Sequence, residues 1–336
     1  MVNFIIFSII LLGILLLGYL NNNEKLKSIH FMDRNCTSAL KGIAITFVIW
    51  AHMGAAVGVT GLQFIAGVGV SIFTICSGYG LQKSYEAHGL TNYWRKRFVS
   101  VALPYYIIAI ILLFVHRNMS FNNVLGIFLF WDNEYWYVRF ILVCYILFWI
   151  YCIVISRYKG IDFFYIFWGV SIAIWFVYQT YNPSNAAVPK LWVRQLLAFP
   201  VGMFIAKKQS KVERLNKKCI FILEVVLLIV SLLGLVGADL YLPLGRLESN
   251  LCELFTTVPI GIFIVLGLIN NERILKNSII VQLGVMSYEM YLLNTCFFVM
   301  IEDSVIAFIF VYGVTTFATW WAWKFIEMIS RILYQE

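Results

Sequence analysis

One histidine, His52, stands inside an almost wholly apolar stretch, KGIAITFVIWAHMG at residues 41–54. Ionisable side chains inside membrane-spanning segments are rare and usually functional. Near pH 7 a neutral imidazole can accept a proton from a hydroxyl group or take an acyl group itself. His52 is therefore the candidate catalytic residue, as general base or transient acyl carrier. The alternative is a structural hydrogen bond to a neighbouring helix.

Cations precede His52 at a helical spacing. Lys41 lies eleven residues earlier, which is about 16 Å along a helix and nearly the same face. Arg34, seven residues before Lys41, falls near that face if the helix extends so far. A second basic run, WRKR, contains Arg95 and Arg97. This layout suits an anionic donor whose phosphates contact these four cations while its reactive end reaches His52.

Sequence signatures of other enzyme classes are absent. The chain has no G-x-S-x-G, H-x-x-x-x-D, H-E-x-x-H or G-x-x-x-x-G-K-[ST] pattern. Its seven cysteines are scattered, without a C-x-x-C pair or a cluster with histidine. The sequence therefore predicts no metal site and no permanently bound cofactor.

The composition is that of an integral membrane protein. Of 336 residues, 62% are hydrophobic and 12% are charged, whereas soluble domains average about 45–50% apolar and about 25% charged residues. The predicted fold is all-α and polytopic, with residues 1–336 forming a single transmembrane domain. The net charge of +8 is explained by basic cytoplasmic loops, so no nucleic-acid partner is expected.

About eleven segments are long and apolar enough to cross a bilayer. They lie near residues 2–20, 37–57, 63–82, 98–115, 136–155, 161–180, 190–206, 219–239, 251–269, 279–299 and 304–325. Basic residues concentrate in alternate loops, which predicts an N-terminus outside and a C-terminus in the cytoplasm. The same rule offers a second interpretation of Arg97, as a topological charge.

Three polar residues are candidates for substrate contact near the outer ends of the spans. Arg139 is expected either to pair with Asp132 or Glu134 or to face a glycan. Tyr288 and Asn294 share the tenth segment, where Asn294 should reach the depth of the histidine. Either residue can contact a substrate or merely another helix.

Other residues are assigned structural roles. Arg194, near the outer end of the seventh segment, has the same two interpretations as Arg139, an ion pair or a contact with a glycan. Glu224 and Glu253 lie inside or at the edge of apolar runs and are expected to pair with these arginines rather than to take part in catalysis. Gly78, beside Ser77, is expected to allow a close contact between helices.

Several motifs resemble those of the acyltransferase family 3 membrane proteins, over residues 34–330. The helix at residues 2–20 precedes this region. The stretch RNCTSALKGIAITFVIWAH resembles the family's opening motif, with its basic residues and histidine. Further similar segments, in the family's order, are GVGVSIFTICSGYGLQKS, YWRKRFVSVALPYY, FPVGMFIAK, LGVMSYEMYLLN and Glu327.

The chain departs from the family pattern at two positions. Val101 stands where many members have a second arginine, and Asn294 stands where many have a histidine. The first departure puts a paired-arginine donor site in doubt, and the second leaves His52 as the sole predicted intramembrane imidazole.

The resemblance implies an O-acyltransferase of the bacterial cell membrane that modifies surface polysaccharides. The implied donor is an acyl-CoA, usually acetyl-CoA, although succinyl or amino-acid transfer also occurs in such proteins. The implied acceptor is a glycan or a lipid-linked sugar on the far side of the membrane, and membrane lipid is the remaining partner. Two other functions stay open from the residues alone, a proton-coupled transporter and a membrane subunit of a polysaccharide exporter.

Overall fold

The structure is a computed structural model, and 86% of the described residues are helical, with no strand among them. The described residues are 1–20, 30–115, 119–130, 135–158, 162–181, 189–241, 246–269, 272–298 and 300–334. The all-α expectation is therefore confirmed.

The described residues form eighteen helices, nine of them in the first part of the chain. They are α1 (Val2–Leu20), α2 (Arg34–Ala56), α3 (Gln63–His88), α4 (Tyr93–Arg97), α5 (Leu103–Val115), α6 (Phe121–Phe128), α7 (Trp136–Arg157), α8 (Phe164–Tyr181) and α9 (Pro189–Val193). A 3₁₀ turn, Thr60–Leu62, precedes α3, and a π-helical turn, Phe98–Ala102, joins α4 to α5.

Nine further helices follow. They are α10 (Ala198–Lys207), α11 (Gln209–Val212), α12 (Lys217–Tyr241), α13 (Arg246–Glu253), α14 (Val258–Ile269), α15 (Glu272–Leu275), α16 (Ser278–Val285), α17 (Ser287–Phe298) and α18 (Val305–Tyr334).

Eight helical segments of the described residues are long and apolar enough to cross a membrane, so a count of about eleven is not confirmed. The three remaining predicted segments are helical in part. Residues 161–180 correspond to α8, which ends in the polar run YQTY. Residues 190–206 are divided between α9 and α10, and residues 279–299 between α16 and α17. In each divided segment, neither of the two helices is long enough to span the bilayer by itself.

Glycines set the close packing of α2 against α16. A Cβ atom added at Gly42 would collide with the backbone carbonyl of Ile280, and one added at Gly284 would collide with that of Ser38. Only glycine allows two helix backbones to approach this closely. The helix that carries Lys41 and His52 is thus fixed against the segment that leads into α17.

A second glycine pair joins α3 to α10. A Cβ atom at Gly78 would meet the Phe199 carbonyl, and one at Gly202 would meet the Ile75 carbonyl. The close helix contact predicted at Gly78 is therefore confirmed.

The helices that carry the candidate site are the most enclosed. Within their apolar windows, 61% of the α2 residues and 72% of the residues in the span that contains α3 are buried. The corresponding shares for α1, α12 and α18 are 22%, 17% and 22%. These three helices expose large apolar side chains along much of their length, as lipid-facing helices do. The site helices therefore lie inside the bundle, where polar side chains can be kept from lipid.

Candidate active site

The helix α2 begins far enough upstream to include both Arg34 and Lys41, the basic residues predicted to share a helix face with His52. Its N-cap is Asp33, whose side chain accepts a hydrogen bond from the backbone N–H of Cys36 at 2.7 Å. The helix starts at Arg34, so it extends far enough for Arg34 to lie near the same face as Lys41. Lys41 and His52 stand on the same unbroken helix, about 16 Å apart at 1.5 Å per residue.

A cavity of about 350 Å³ lies beside Lys41, between α2, α3, α7, α17 and the π-helical turn before α5. Its walls carry the cations Lys41 and Arg97 together with three serine and four tyrosine side chains, and no carboxylate belongs to the described lining. Positive charge combined with many hydroxyl groups suits a polyanionic ligand with a polar arm. The structure thus brings together two of the four cations predicted for the donor.

Arg97 enters the cavity from the end of α4. Its guanidinium carbon lies 5.4 Å from the centre of the Tyr145 ring, within the range of a cation–π contact. Its Nε atom is buried and has no hydrogen-bond acceptor. A guanidinium can only donate, so this N–H lacks a partner that a ligand oxygen could supply. The position favours a binding role over the topological interpretation.

The backbone beside Arg97 is shaped by a π-helical turn. Leu103 is the residue before Pro104, and its backbone N–H donates a hydrogen bond to the carbonyl of Phe98, five residues earlier. Such a turn widens a helix locally and is frequent at functional sites. Within it, the Val101 carbonyl accepts a hydrogen bond from the Tyr288 hydroxyl at 2.9 Å. Tyr288 therefore lines the cavity, as expected of a substrate contact, while its hydroxyl is held by the protein backbone.

His52 contacts Asn294, which agrees with the prediction that the two residues lie at a similar depth in the membrane. His52 Nδ1 lies 3.5 Å from Asn294 Oδ1, which is long for a hydrogen bond, although catalytic hydrogen bonds are often long before a ligand binds. The Phe298 ring meets the imidazole edge-on, with 5.4 Å between ring centres. Asn294 itself is 0% exposed. In this structure it holds His52 rather than facing the cavity, so its predicted substrate contact stays untested.

The hydrogen bonds of Asn294 fix the state of the imidazole. The Asn294 amide group donates to the carbonyl of Tyr291, which can only accept. The amide oxygen must therefore face His52, and Nδ1 must carry the proton to donate to it. In the neutral imidazole the lone pair then lies on Nε2. His52 is thus prepared to act as a base or nucleophile through Nε2.

Tyr291 connects the cavity lining to the residue that holds the histidine. It lines the cavity, its carbonyl accepts from Asn294 one helical turn later, and His52 is not among the lining residues. The Tyr291 ring packs against Tyr137 and Tyr135, with ring centres 5.7 and 6.4 Å apart. The sequence analysis did not single out Tyr291, although it belongs to the quoted motif LGVMSYEMYLLN.

A buried carboxylate near Lys41 was also missed. Glu289 lies in the first turn of α17, is 7% exposed, and interacts electrostatically with Lys41. Among the described residues, no carboxylate within ion-pair distance of Arg97 is found. Arg97 is therefore the stronger candidate of the two cavity cations for a phosphate group.

The other two predicted donor cations lie outside the described cavity lining. Arg34 is exposed at the start of α2. Arg95 is also exposed, and its guanidinium donates to the carbonyl of Leu333 near the end of α18. The structure thus separates Arg97 from Arg95, two residues away, because successive side chains on a helix point about 100° apart.

Arg139, the third predicted substrate contact, faces α9. Its guanidinium carbon lies 5.6 Å from the centre of the Trp192 ring. Asp132 and Glu134, its predicted ion-pair partners, lie outside the described residues. The neighbouring Arg194 does form the expected pair: its Nε and Nη2 atoms donate to both carboxylate oxygens of Glu253, the second at 2.9 Å.

Comparison with protein families decides between the functions that the residues left open. A family model described as "Acyltransferase domain" matches residues 29–327. The chain belongs to this acyltransferase family. The resemblance drawn from its motifs is therefore confirmed over nearly the whole chain, and the protein is a membrane acyltransferase rather than a transporter. Comparison with curated proteins and with solved structures finds no match.

Proposed function

We propose that this acyltransferase moves an acetyl group from cytoplasmic acetyl-CoA to a hydroxyl group of a glycan or lipid-linked sugar outside the cell membrane. The observation that carries the proposal is the cation-lined cavity, whose lining residue Tyr291 lies one helical turn before Asn294, the contact of His52. A CoA thioester has the complementary features: phosphates at one end and a reactive acyl group at the end of a long polar arm.

The cavity suits that donor along its length. Arg97, with its unpaired buried N–H, and Lys41 bind phosphate oxygens by charge-assisted hydrogen bonds. The serine and tyrosine hydroxyls of the walls offer partners to the amide groups of the arm. The distance of about 16 Å from Lys41 to His52 lets the phosphates stay near the cytoplasmic mouth while the thioester advances.

His52 Nε2 can perform the transfer by either of two balanced routes. In the covalent route, Nε2 attacks the thioester carbonyl, the carbon–sulfur bond breaks, and CoA leaves as a thiolate. The acceptor hydroxyl then attacks the acyl-imidazolium, its proton passes to the thiolate, and the neutral histidine is released. In the direct route, Nε2 takes the proton of the hydroxyl as its oxygen attacks the thioester, and the imidazolium returns that proton to the departing thiolate.

Asn294 supports both routes in the same way. By accepting the Nδ1 proton it keeps the lone pair on Nε2, and it stabilises positive charge on the ring as Nε2 reacts. It acts through His52 and is therefore a positioning residue. The acceptor approaches from the outer half of the bundle in this scheme, as the charge pattern of the loops predicts.

Purified protein incubated with acetyl-CoA labelled in the acetyl group tests the proposal. The expected result is release of labelled acetate or labelling of a cell-envelope glycan fraction, with loss of both in a His52→Ala variant. Rapid quenching distinguishes the routes, because only the covalent route places label on the protein before acceptor is added. Absence of hydrolysis and of transfer with acetyl-CoA, alongside activity with succinyl-CoA, would overturn the choice of acetyl.

A further inference from the structure

Three donor groups without acceptors lie together beside the first turn of α7. The Nε atom of Arg139 and the indole N–H groups of Trp175 and Trp192 are buried without a hydrogen-bond partner among the described residues. Trp192 is only 4% exposed. Guanidinium and indole groups donate and cannot accept. Three buried donors without acceptors call for a ligand that is rich in acceptor oxygens.

The three side chains are packed into one group. The Trp175 and Trp192 rings are stacked, with centres 5.2 Å apart and planes 17° apart. The Arg139 guanidinium lies beside the Trp192 ring, 5.6 Å from its centre. Arg139 follows the start of α7 by three residues, which places its charge near one end of a membrane-spanning helix.

Arg139 has no counter-ion among the described residues. The neighbouring Arg194 is neutralised by Glu253, whereas no ion pair with Arg139 is present in the described part of the chain. An arginine inside a membrane helix needs an anion or a water-filled path. The charge therefore calls for an anionic ligand at this place.

A shallow apolar groove continues from Trp175. It lies between α7, α8 and α10, and Phe140, Trp168, Ser171 and Trp175 are among its lining residues. Its enclosed volume is about 30 Å³, so a hydrocarbon chain would lie along it rather than inside it. The residues of α7 that line the groove differ from those that line the donor cavity, so the groove and the cavity lie on different faces of α7.

We infer that this surface binds an anionic phospholipid of the surrounding bilayer. The phosphodiester group pairs with Arg139, the phosphate and ester oxygens accept from the indole N–H groups, and one acyl chain lies along the groove. Phosphate, ester carbonyls and a hydrocarbon chain together match the charge, the donors and the apolar surface. The position away from His52 favours a lipid that stays bound over a lipid-linked acceptor.

Native mass spectrometry of delipidated protein in detergent tests this site with phosphatidylglycerol, phosphatidylcholine, polyprenyl monophosphate and inorganic phosphate as probes. The wild-type protein should bind phosphatidylglycerol about fivefold or more tightly than phosphatidylcholine. Arg139→Gln should abolish this preference. Arg157→Gln, an exposed charge on the same helix, should leave it unchanged.

Ser171→Leu fills the groove and leaves Arg139 in place, so it keeps the test available if Arg139→Gln does not fold. It should weaken the binding of phosphatidylglycerol. Retention of the lipid preference by Arg139→Gln would overturn the inference, as would binding of inorganic phosphate as tightly as the lipid. Preference for polyprenyl monophosphate over phosphatidylglycerol would overturn the assigned occupant and indicate a carrier-lipid site.

Discussion

Replacement of Arg97 by glutamine should weaken the binding of acetyl-CoA. Arg97 lines the cavity with a buried, unpaired Nε–H, and a hydrogen bond to a charged group contributes about 1.5–3 kcal/mol. Loss of one such bond corresponds to about a 10- to 150-fold rise in Kd. The lost cation–π contact with Tyr145 is worth only about 0.5–2 kcal/mol, so the variant should still fold. Equilibrium binding of radiolabelled acetyl-CoA to purified protein measures the change.

Arg95→Gln is the matched control for this experiment. It removes the same charge two residues away, from an exposed side chain that bonds the Leu333 carbonyl. Its Kd for acetyl-CoA should stay within about twofold of wild type at moderate salt, because exposed charges are screened. Equal weakening by both substitutions would show that Arg97 acts only through net charge. Unchanged binding in Arg97→Gln would refute the assignment of this cavity to the donor.

Three further predictions concern positioning, packing and topology. Asn294→Ala should lower kcat about tenfold with little change in the KM for acetyl-CoA, since it removes one hydrogen bond of about 1–1.5 kcal/mol; an unchanged kcat would contradict its positioning role. Gly202→Val should lower the unfolding temperature in detergent because its side chain would strike α3, whereas Gly169→Val, which has open space around it, should not. In a cysteine-free background, Asn185→Cys should react with an impermeant thiol reagent on intact cells and Val212→Cys should not, and the reverse pattern would overturn the orientation.

Hydrophobicity predicted most of the fold, because long apolar runs have few alternatives to a membrane helix. The prediction from hydrophobicity failed where the structure divides an apolar segment into two helices. The break at Met286 between α16 and α17 has no proline or charge that marks it. The break between α9 and α10 begins with Arg194 and Gln195, but polar residues near the end of an apolar segment do not by themselves indicate a break. Both occur where tertiary packing, such as the contact of Gly284 with α2, can favour a local change of backbone direction.

The candidate site was predicted in part. The spacing of Lys41 and His52 needed only helical geometry, and the depth of Asn294 needed only the predicted direction of two helices. Whether a basic side chain enters the cavity depends on the rotation of its helix, which charge alone does not specify. Arg97 and Arg95 could therefore not be told apart from the sequence.

Tyr291 could not be recognised for a related reason. Tyrosines are numerous in the chain, 19 in all, and nothing in the sequence marks the one that both lines the cavity and orients Asn294 through its carbonyl. Glu289 was overlooked because its neighbour in space, Lys41, lies on a helix that is distant in the sequence. Such partnerships arise from packing between remote segments rather than from local patterns.

Acetyl transfer by a His52→Gln variant is the most direct test of the central claim. Glutamine keeps much of the size and hydrogen bonding of histidine but cannot take up a proton near neutral pH, so it separates a catalytic role from a structural one. The account predicts that transfer falls by about 10²–10⁴-fold, while acetyl-CoA binding, which depends on Lys41 and Arg97, stays close to wild type. Near-normal transfer by the glutamine variant would show that His52 is a structural residue and that the chemistry takes place elsewhere.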